Sequence, residues 1–346
     1  MKKIAAVLVF IIVLALGGCD NSHYTEYGGE ITSITGSDID AVVSARNEEE
    51  EKKRLEKLEA LASEDALTAT SAVIMDRTGS EVEVPEDIKR IVSTTPAITE
   101  ILAGLGLSDR IVAADMFSGN VPGVDKSVCT LDMMHIDTQE IADLSPDVVI
   151  IGEISGYDTV RALQSMGVYT AYIPTAKSIE AIKMDIEFIA ALTGTFEEGA
   201  ELISEMNTDI LYVRELTAGF EPKTVYFEIS ELPDICTVGN NTFLADALRI
   251  AGAETVFSDM DGYVHVTTDE ILARAFDIEM VFTTVSYEGY DPLEIGGREG
   301  FEDIKALQDG YLYPLDTDAF SRPSQNITKA IRSLALMIHP VVIVTE

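Results

Sequence analysis

From Val73 onward, short apolar runs alternate with segments of helical period, the pattern of buried strands joined by helical crossovers. Val73–Val84 reads as two short strands around Thr78-Gly79, a hairpin signal. Arg90–Ser93 is a short apolar strand, and Thr94-Thr95-Pro96 then turns the chain. Ala97–Leu105 places Ile98, Ile101, Leu102 and Leu105 on one helix face, with Pro96 near the start and Gly106 beyond the end. Ile111–Ala114 is the next strand. Further on, Ser178–Leu192 is apolar at 179, 182, 186, 189 and 190 and stops at Gly194. Phe196–Leu216 continues with a helical period and is followed by Gly219 and Pro222. A helix of about 21 residues runs roughly 30 Å, long enough to bridge two lobes.

An internal repeat organises this pattern. Thr138, Glu140, Ile141 and Asp147 lead into the strand Val148–Ile151, and Thr268, Glu270, Ile271 and Asp277 fall at the same offsets before Ile278–Phe282. Each copy reads as a helix capped by its Thr and followed by a buried strand. Upstream, the helix ending at Leu105-Gly106 before Ile111 has a counterpart in Phe243–Ile250, which precedes Gly252 and a strand at Val256-Phe257. The expected architecture is therefore α/β: two similar parallel-sheet lobes joined by one long helix, with the ligand cleft between the lobes. The N-terminal lobe is expected over 73–194, the bridging helix over 195–219 and the C-terminal lobe over 220–346.

The first 72 residues follow a different pattern. Lys2 and Lys3 precede an unbroken apolar run, Ile4–Leu16. At ~1.5 Å per residue this run falls well short of a bilayer core of roughly 30 Å, so it fits a signal peptide better than a membrane span. Residues 19–72 read as an acidic spacer. Within it, Glu48–Lys52, Glu49–Lys53 and Glu50–Arg54 are helix-supporting pairs, and Leu55, Leu58 and Leu61 make a narrow stripe. A solvated helix or stalk fits them better than a coiled coil, which needs more heptads.

Composition narrows the class. The chain has 60 acidic and 24 basic residues, a formal net charge of −36. Such a field repels phosphate backbones and disfavours nucleic acid as a partner, and it keeps a monomer soluble. Besides Cys19 there are Cys129 and Cys236, in different predicted lobes; a disulfide between them and two free thiols are both open, with free thiols favoured.

Catalytic signatures are missing from the sequence: it has no GxSxG, P-loop, HExxH or CxxC. Four His, at 23, 135, 265 and 339, are spread along the chain, and no pair of carboxylates stands out as acid and base. Binding without catalysis is the expectation, and no cofactor is implied. In α/β folds ligands gather at the carboxyl ends of strands. That rule nominates Thr95 after Arg90–Ser93, Met116 and Phe117 after Ile111–Ala114, Tyr157 after Val148–Ile151, and Tyr287 after Ile278–Phe282. Met133-Met134-His135, with His265 in the other lobe, offers weak candidates for axial haem ligands, to be set against ordinary core and surface roles.

Two resemblances sharpen this reading. Leu16-Gly17-Gly18-Cys19 resembles the lipobox of bacterial lipoproteins, which implies cleavage after residue 18, lipid on Cys19 and an extracytoplasmic, membrane-tethered protein. RIVSTTPAITEILAGLGLSDRIVAAD, IDTQEIADLSPDVVIIG, KTVYFEIS, TFLADALRIAGAETVF, YVHVTTDEIL and DAFSRPSQNITKAIRSLALMIHP occur in that order. Together they resemble the bacterial solute-binding proteins for ferric siderophores, haem and vitamin B12. The resemblance implies a substrate-binding component of an ABC importer that delivers an iron complex or vitamin B12 to a permease and its ATPase. It implies Tyr263, ahead of the VTTDE segment, as a ring packing on the ligand, against an ordinary packed tyrosine. It also implies Arg322 as a ligand- or mouth-lining group, against a surface ion pair. The family commonly places a permease-docking Glu where this chain has Gln139, with Glu140 beside it; Asp246 is the matching candidate in the C-terminal lobe. A lipoprotein that senses a ligand for a membrane receptor is the alternative of a different class.

Overall fold

The computed structural model describes residues 73–77, 81–83 and 87–340. The leader, Cys19, the spacer and the Thr78-Gly79 turn lie outside those residues. Two compact units result: an N-terminal one reaching Thr208 and including Arg322–Ile327, and a C-terminal one made of Asp209–Ser321 and the chain from Thr328.

In the N-terminal unit, β1 (Val73–Met75) and β2 (Glu81–Glu83) form an antiparallel hairpin with Val73 opposite Glu83. The main sheet holds β3 (Ile91–Ser93), β4 (Ile111–Asp115), β5 (Cys129–Leu131), β6 (Val148–Gly152) and β7 (Thr170–Ile173) in the order β5-β4-β3-β6-β7, all pairs parallel. Every residue of β3 and β6 is buried, as expected for central strands covered on both faces. Val92, Val149, Ile151, Ile141 and Leu163 pack into one core cluster.

The helices start where local chemistry dictates. Thr95 caps Pro96–Gly104, and Ser178 caps Ile179–Thr193, which ends on Gly194 in the left-handed region at φ 74°. Thr138 and Thr268, expected as caps, are instead the first helical residues. The caps lie one residue earlier: Asp137 accepts from the Gln139 and Glu140 N–H groups, and Thr267 forms a full capping box with Glu270. A carboxylate at 137 satisfies two orphan N–H groups at once, so it displaces the threonine beside it.

The C-terminal unit contains β8 (Lys223–Ser230), β9 (Cys236–Asn240), β10 (Ala253–Thr255), β11 (Phe257–Asp261), β12 (Tyr263–His265), β13 (Met280–Thr283) and β14 (Leu312–Pro314). Strands β10, β8, β13 and β14 are parallel neighbours in that order. This matches β4-β3-β6-β7 of the first unit, so the sequence repeat is a repeat of topology. The addition is β9, antiparallel to β8, with β11 and β12 built onto it. The strand expected at Val256-Phe257 is divided there: β10 stays on β8, while β11 leaves to pair with β9.

Helix Phe196–Thr217 is 22 residues long, and the division between the units falls within it, after Thr208. Among the described residues no helix is long and apolar enough to cross a membrane. Cys129 and Cys236 are both free thiols, and burial pushes each thiol up from its ordinary pKa.

Two close contacts test this architecture. A Cβ on Gly239 of β9 would stand 2.6 Å from the Gly262 and Met260 carbonyl oxygens, which are backbone and cannot swing aside. Gly239→Ala is expected to cost about 1–3 kcal/mol in urea unfolding; an unchanged midpoint contradicts the packing of β9 against the Met260–Gly262 turn. Arg77 on the β1–β2 hairpin pairs with buried Asp185 through Nε–Oδ1 at 2.6 Å and Nη2–Oδ2 at 2.9 Å. Desolvation outweighs the arginine and raises the Asp185 carboxyl from 3.8 to about 6. The folded chain thus holds this proton more tightly than the unfolded one. The group's stabilising contribution is complete at the acid end and is lost as pH rises through about 6. The stability of the wild type relative to Asp185→Asn should fall by up to ~3 kcal/mol over that window, measured by urea unfolding at several pH values. A difference independent of pH contradicts the raised pKa.

Candidate functional site

Parallel strands end together, so the loops after β3, β4, β5, β6 and β7 share the carboxyl edge of the N-terminal sheet. Thr94 and Thr95 leave β3. The Thr94 hydroxyl accepts from the Gly152 N–H at 3.0 Å and from Ser155 Oγ at 3.0 Å, tying the ends of β3 and β6. Thr95 is half-buried as a helix cap, and its methyl lies where a Cβ on Gly152 would stand, 2.5 Å away. Gly152 therefore lets the β6 loop pass close over Thr95.

Asp115 ends β4 and is fully buried. Its carboxylate accepts from the Phe117 N–H at 2.9 Å and from the Met133 N–H at 3.1 Å. One side chain thus fixes the loops after β4 and β5 together. Burial pushes its pKa up, and the two N–H bonds work against that shift. Below the surface, Ser93 Oγ and Ser118 Oγ each bond to Thr99 Oγ1, at 2.8 and 2.9 Å.

This scaffold presents apolar side chains to solvent. Met116, Phe117, Met134, Ile154 and Tyr157 are all large, exposed and placed on the loops after β4, β5 and β6; Phe117 is 60% exposed. Tyr157 stands edge-on to Tyr172 with ring centroids 5.5 Å apart, and the Arg161 guanidinium lies 5.8 Å from its ring centre. Exposed apolar groups held by satisfied polar groups underneath suit a ligand that is itself large and partly apolar.

Arg322 belongs to this unit as well, and it is buried rather than held in a surface pair. It is buried, with Nη1 on Glu100 Oε1 at 2.9 Å and Nη2 on the Phe117 carbonyl oxygen at 2.9 Å and Asn120 Oδ1 at 3.0 Å. Asn326 Nδ2 donates to the other Glu100 oxygen at 3.0 Å, as does the Ser324 hydroxyl. A buried carboxylate demands a counter-charge, and the arginine supplies it from the far end of the chain.

The C-terminal unit has its own carboxyl edge. Glu228, near the end of β8, is fully buried and receives a two-pronged bond from Arg298 at 2.6 and 2.8 Å and the Tyr226 hydroxyl at 2.6 Å. Tyr287, after β13, is exposed, donates to Glu231, and stacks obliquely on Tyr290 at 5.0 Å. Burial pushes the Tyr290 hydroxyl up to about 12. Tyr263, on β12, is 38% exposed.

The two histidines are surface groups: His135 bonds Asp132 at 3.0 Å and His265 bonds Asp234 at 2.8 Å. Neither belongs to a cluster of metal-ligating side chains among the described residues. Glu140 is exposed at the start of its helix. Gln139 bonds Asp143 at 2.8 Å, and Asp246 bonds Arg249 at 3.1 Å.

Sequence reasoning missed Arg298 and the part of Arg322 that serves Phe117. The signals were a Glu inside each apolar segment, Glu100 in PAITEILAG and Glu228 in KTVYFEIS, since neither could stay buried unpaired. Replacing Arg298 by Met leaves Glu228 buried without its counter-charge. That substitution should cost about 3–5 kcal/mol in urea unfolding; a loss under about 1 kcal/mol, the value of an exposed pair, contradicts the burial of this bridge.

Comparison with known proteins bears on the family and the fold. The model of a periplasmic binding protein family matches residues 91–319. A Bacillus subtilis protein named as an uncharacterized ABC transporter substrate-binding lipoprotein is 27% identical over 273 residues, spanning 77% of this chain and 85% of its own. The vitamin B12-binding protein of Vibrio cholerae is 22% identical over 259 residues, spanning 74% of this chain and 91% of its own. In fold, the chain is similar to the periplasmic haem-binding protein RhuT of Roseiflexus, with TM-score 0.66 and 21% identity over 72% of this chain and 98% of the other.

Proposed function

The chain belongs to the periplasmic binding protein family, and from that premise we propose that it is the lipid-anchored, extracytoplasmic substrate-binding component of an ABC importer. Its cargo on this reading is an iron complex, either a ferric siderophore or haem, or vitamin B12. The relative named for vitamin B12 supports that class of cargo, and the one named as an ABC transporter substrate-binding lipoprotein supports the importer role.

The observation that carries the proposal is the row Met116, Phe117, Met134, Ile154 and Tyr157, exposed on the carboxyl-edge loops of the N-terminal unit. Exposed apolar side chains collected on a rigid edge bind by surrendering area to a ligand, at about 25 cal/mol per Å². A chelate wrapped in a macrocycle or an organic ligand offers that area, with few polar anchors required. Tyr287, after β13, is the corresponding ring candidate of the C-terminal unit, and Tyr263, on β12, is the ring that the family resemblance implies. Delivery needs a partner in the membrane. Glu140, exposed and acidic, is the strongest docking group for permease arginines, with Gln139 beside it and Asp246 in the other unit. Lipid on Cys19 and the spacer behind it would keep the loaded protein at the membrane surface.

Calorimetric titration of the mature chain with cyanocobalamin, haemin and ferrichrome tests the cargo. One of the three should bind at micromolar concentration or tighter. Removing two rings, in Phe117→Ala/Tyr157→Ala, should weaken that binding at least tenfold, about 1.4 kcal/mol, with little change in stability because both rings are exposed. Binding of none of the three at micromolar concentration contradicts the proposal.

A further inference from the structure

Both main-chain polar groups of Phe117 are taken, although its ring is 60% exposed: its N–H donates to Asp115 at 2.9 Å, and its carbonyl accepts from Arg322 Nη2 at 2.9 Å. The same Arg322 nitrogen reaches Asn120 Oδ1 at 3.0 Å, so the guanidinium clamps the turn that runs from Met116 to Asn120. Its other terminal nitrogen is anchored on Glu100, which is held in turn by Ser324 and Asn326. Gln325 Nε2 adds a bond to the Glu100 carbonyl oxygen at 2.8 Å. The clamp therefore comes from a strap, Arg322–Ile327, that belongs to the N-terminal unit although its neighbours on both sides in sequence belong to the other.

Neutralising Glu100 needs only one side of the guanidinium. The bonds to Phe117 and Asn120 are additional and serve the loop. We propose that Arg322 is a positioning residue: through the Phe117 carbonyl and Asn120 it fixes the Met116–Asn120 turn so that Met116 and Phe117 face solvent in one conformation, ready for a chelate. The link to chelate binding rests on the function proposed above; the clamping of the turn does not. An aromatic side chain on a pre-ordered backbone loses less freedom on binding than one on a mobile loop. Lysine cannot replace the arginine here, because its single ammonium lacks the planar fork that reaches Glu100 and the turn together.

Amide hydrogen exchange on the full chain tests the clamp without any ligand. In Arg322→Lys, which keeps the charge opposite Glu100, amides of residues 117–121 should exchange about tenfold faster, while those of β3 and β6 stay within about twofold of wild type. Unchanged exchange at 117–121, or an equal rise in β3 and β6, overturns the proposal, because a purely structural ion pair would loosen the unit as a whole. Should Arg322→Lys fail to fold, Asn120→Ala carries the test. It removes one of the turn's two acceptors and should accelerate the same amides about threefold; no change there overturns the proposal. A wild-type chain that binds none of the three chelates would remove the proposed function and leave the exchange result standing.

Discussion

A carboxylate on a buried helix face has to be neutralised, and in the N-terminal unit that requirement ties distant parts of the chain together. Glu100 sits on the helix that follows β3, and its counter-charge, Arg322, arrives 222 positions later in sequence. Desolvating two charges is costly, so such a pair persists only with its remaining bonds satisfied. Here the surplus donors of the arginine go to Phe117 and Asn120, and the surplus acceptor of the glutamate goes to Ser324 and Asn326. The edge loop that carries Phe117 is thereby set by the same interaction that solves the burial problem.

Asp115 acts on the same loop from the other side. It reaches forward to the Phe117 N–H and across to the Met133 N–H, so the ends of β4 and β5 are spaced by one carboxylate. Satisfied polar groups lie beneath, and apolar side chains stand above. That layering separates rigidity from exposure: the buried bonds hold the edge, and on the proposed function the exposed rings and thioethers are left to meet a ligand. The C-terminal unit repeats the device with different residues, Glu228 held by Arg298 and Tyr226 near the end of β8.

Much of the fold was legible because it is written in local patterns. The runs read at 90–93, 111–114 and 148–151 are strands to within a residue, and the shared offsets around Thr138 and Thr268 correspond to the same parallel order in two sheets. Met116, Phe117 and Tyr157 could be placed on one edge for the same reason, since parallel strands end together. What escaped was long-range or competitive. Nothing near SRPSQ reveals that its arginine meets Glu100, and nothing near Glu228 points to Arg298. Asp137 outcompetes Thr138 as a cap because its carboxylate takes two N–H groups. At Thr255 the chain divides into β10 and β11 because two partner strands, β8 and β9, claim successive residues.

On the proposed function the carboxyl edge of the N-terminal sheet is where a chelate is held, and methionine methyl resonances report on that edge directly. Met116 and Met134 are exposed on that edge, whereas Met166 is exposed just past the helix Tyr157–Ser165, ahead of the start of β7. On titration with cyanocobalamin, haemin or ferrichrome, the Met116 and Met134 methyl signals should shift or broaden at the stoichiometry of binding while that of Met166 stays in place. Binding that perturbs Met166 and leaves Met116 and Met134 unmoved would contradict the account.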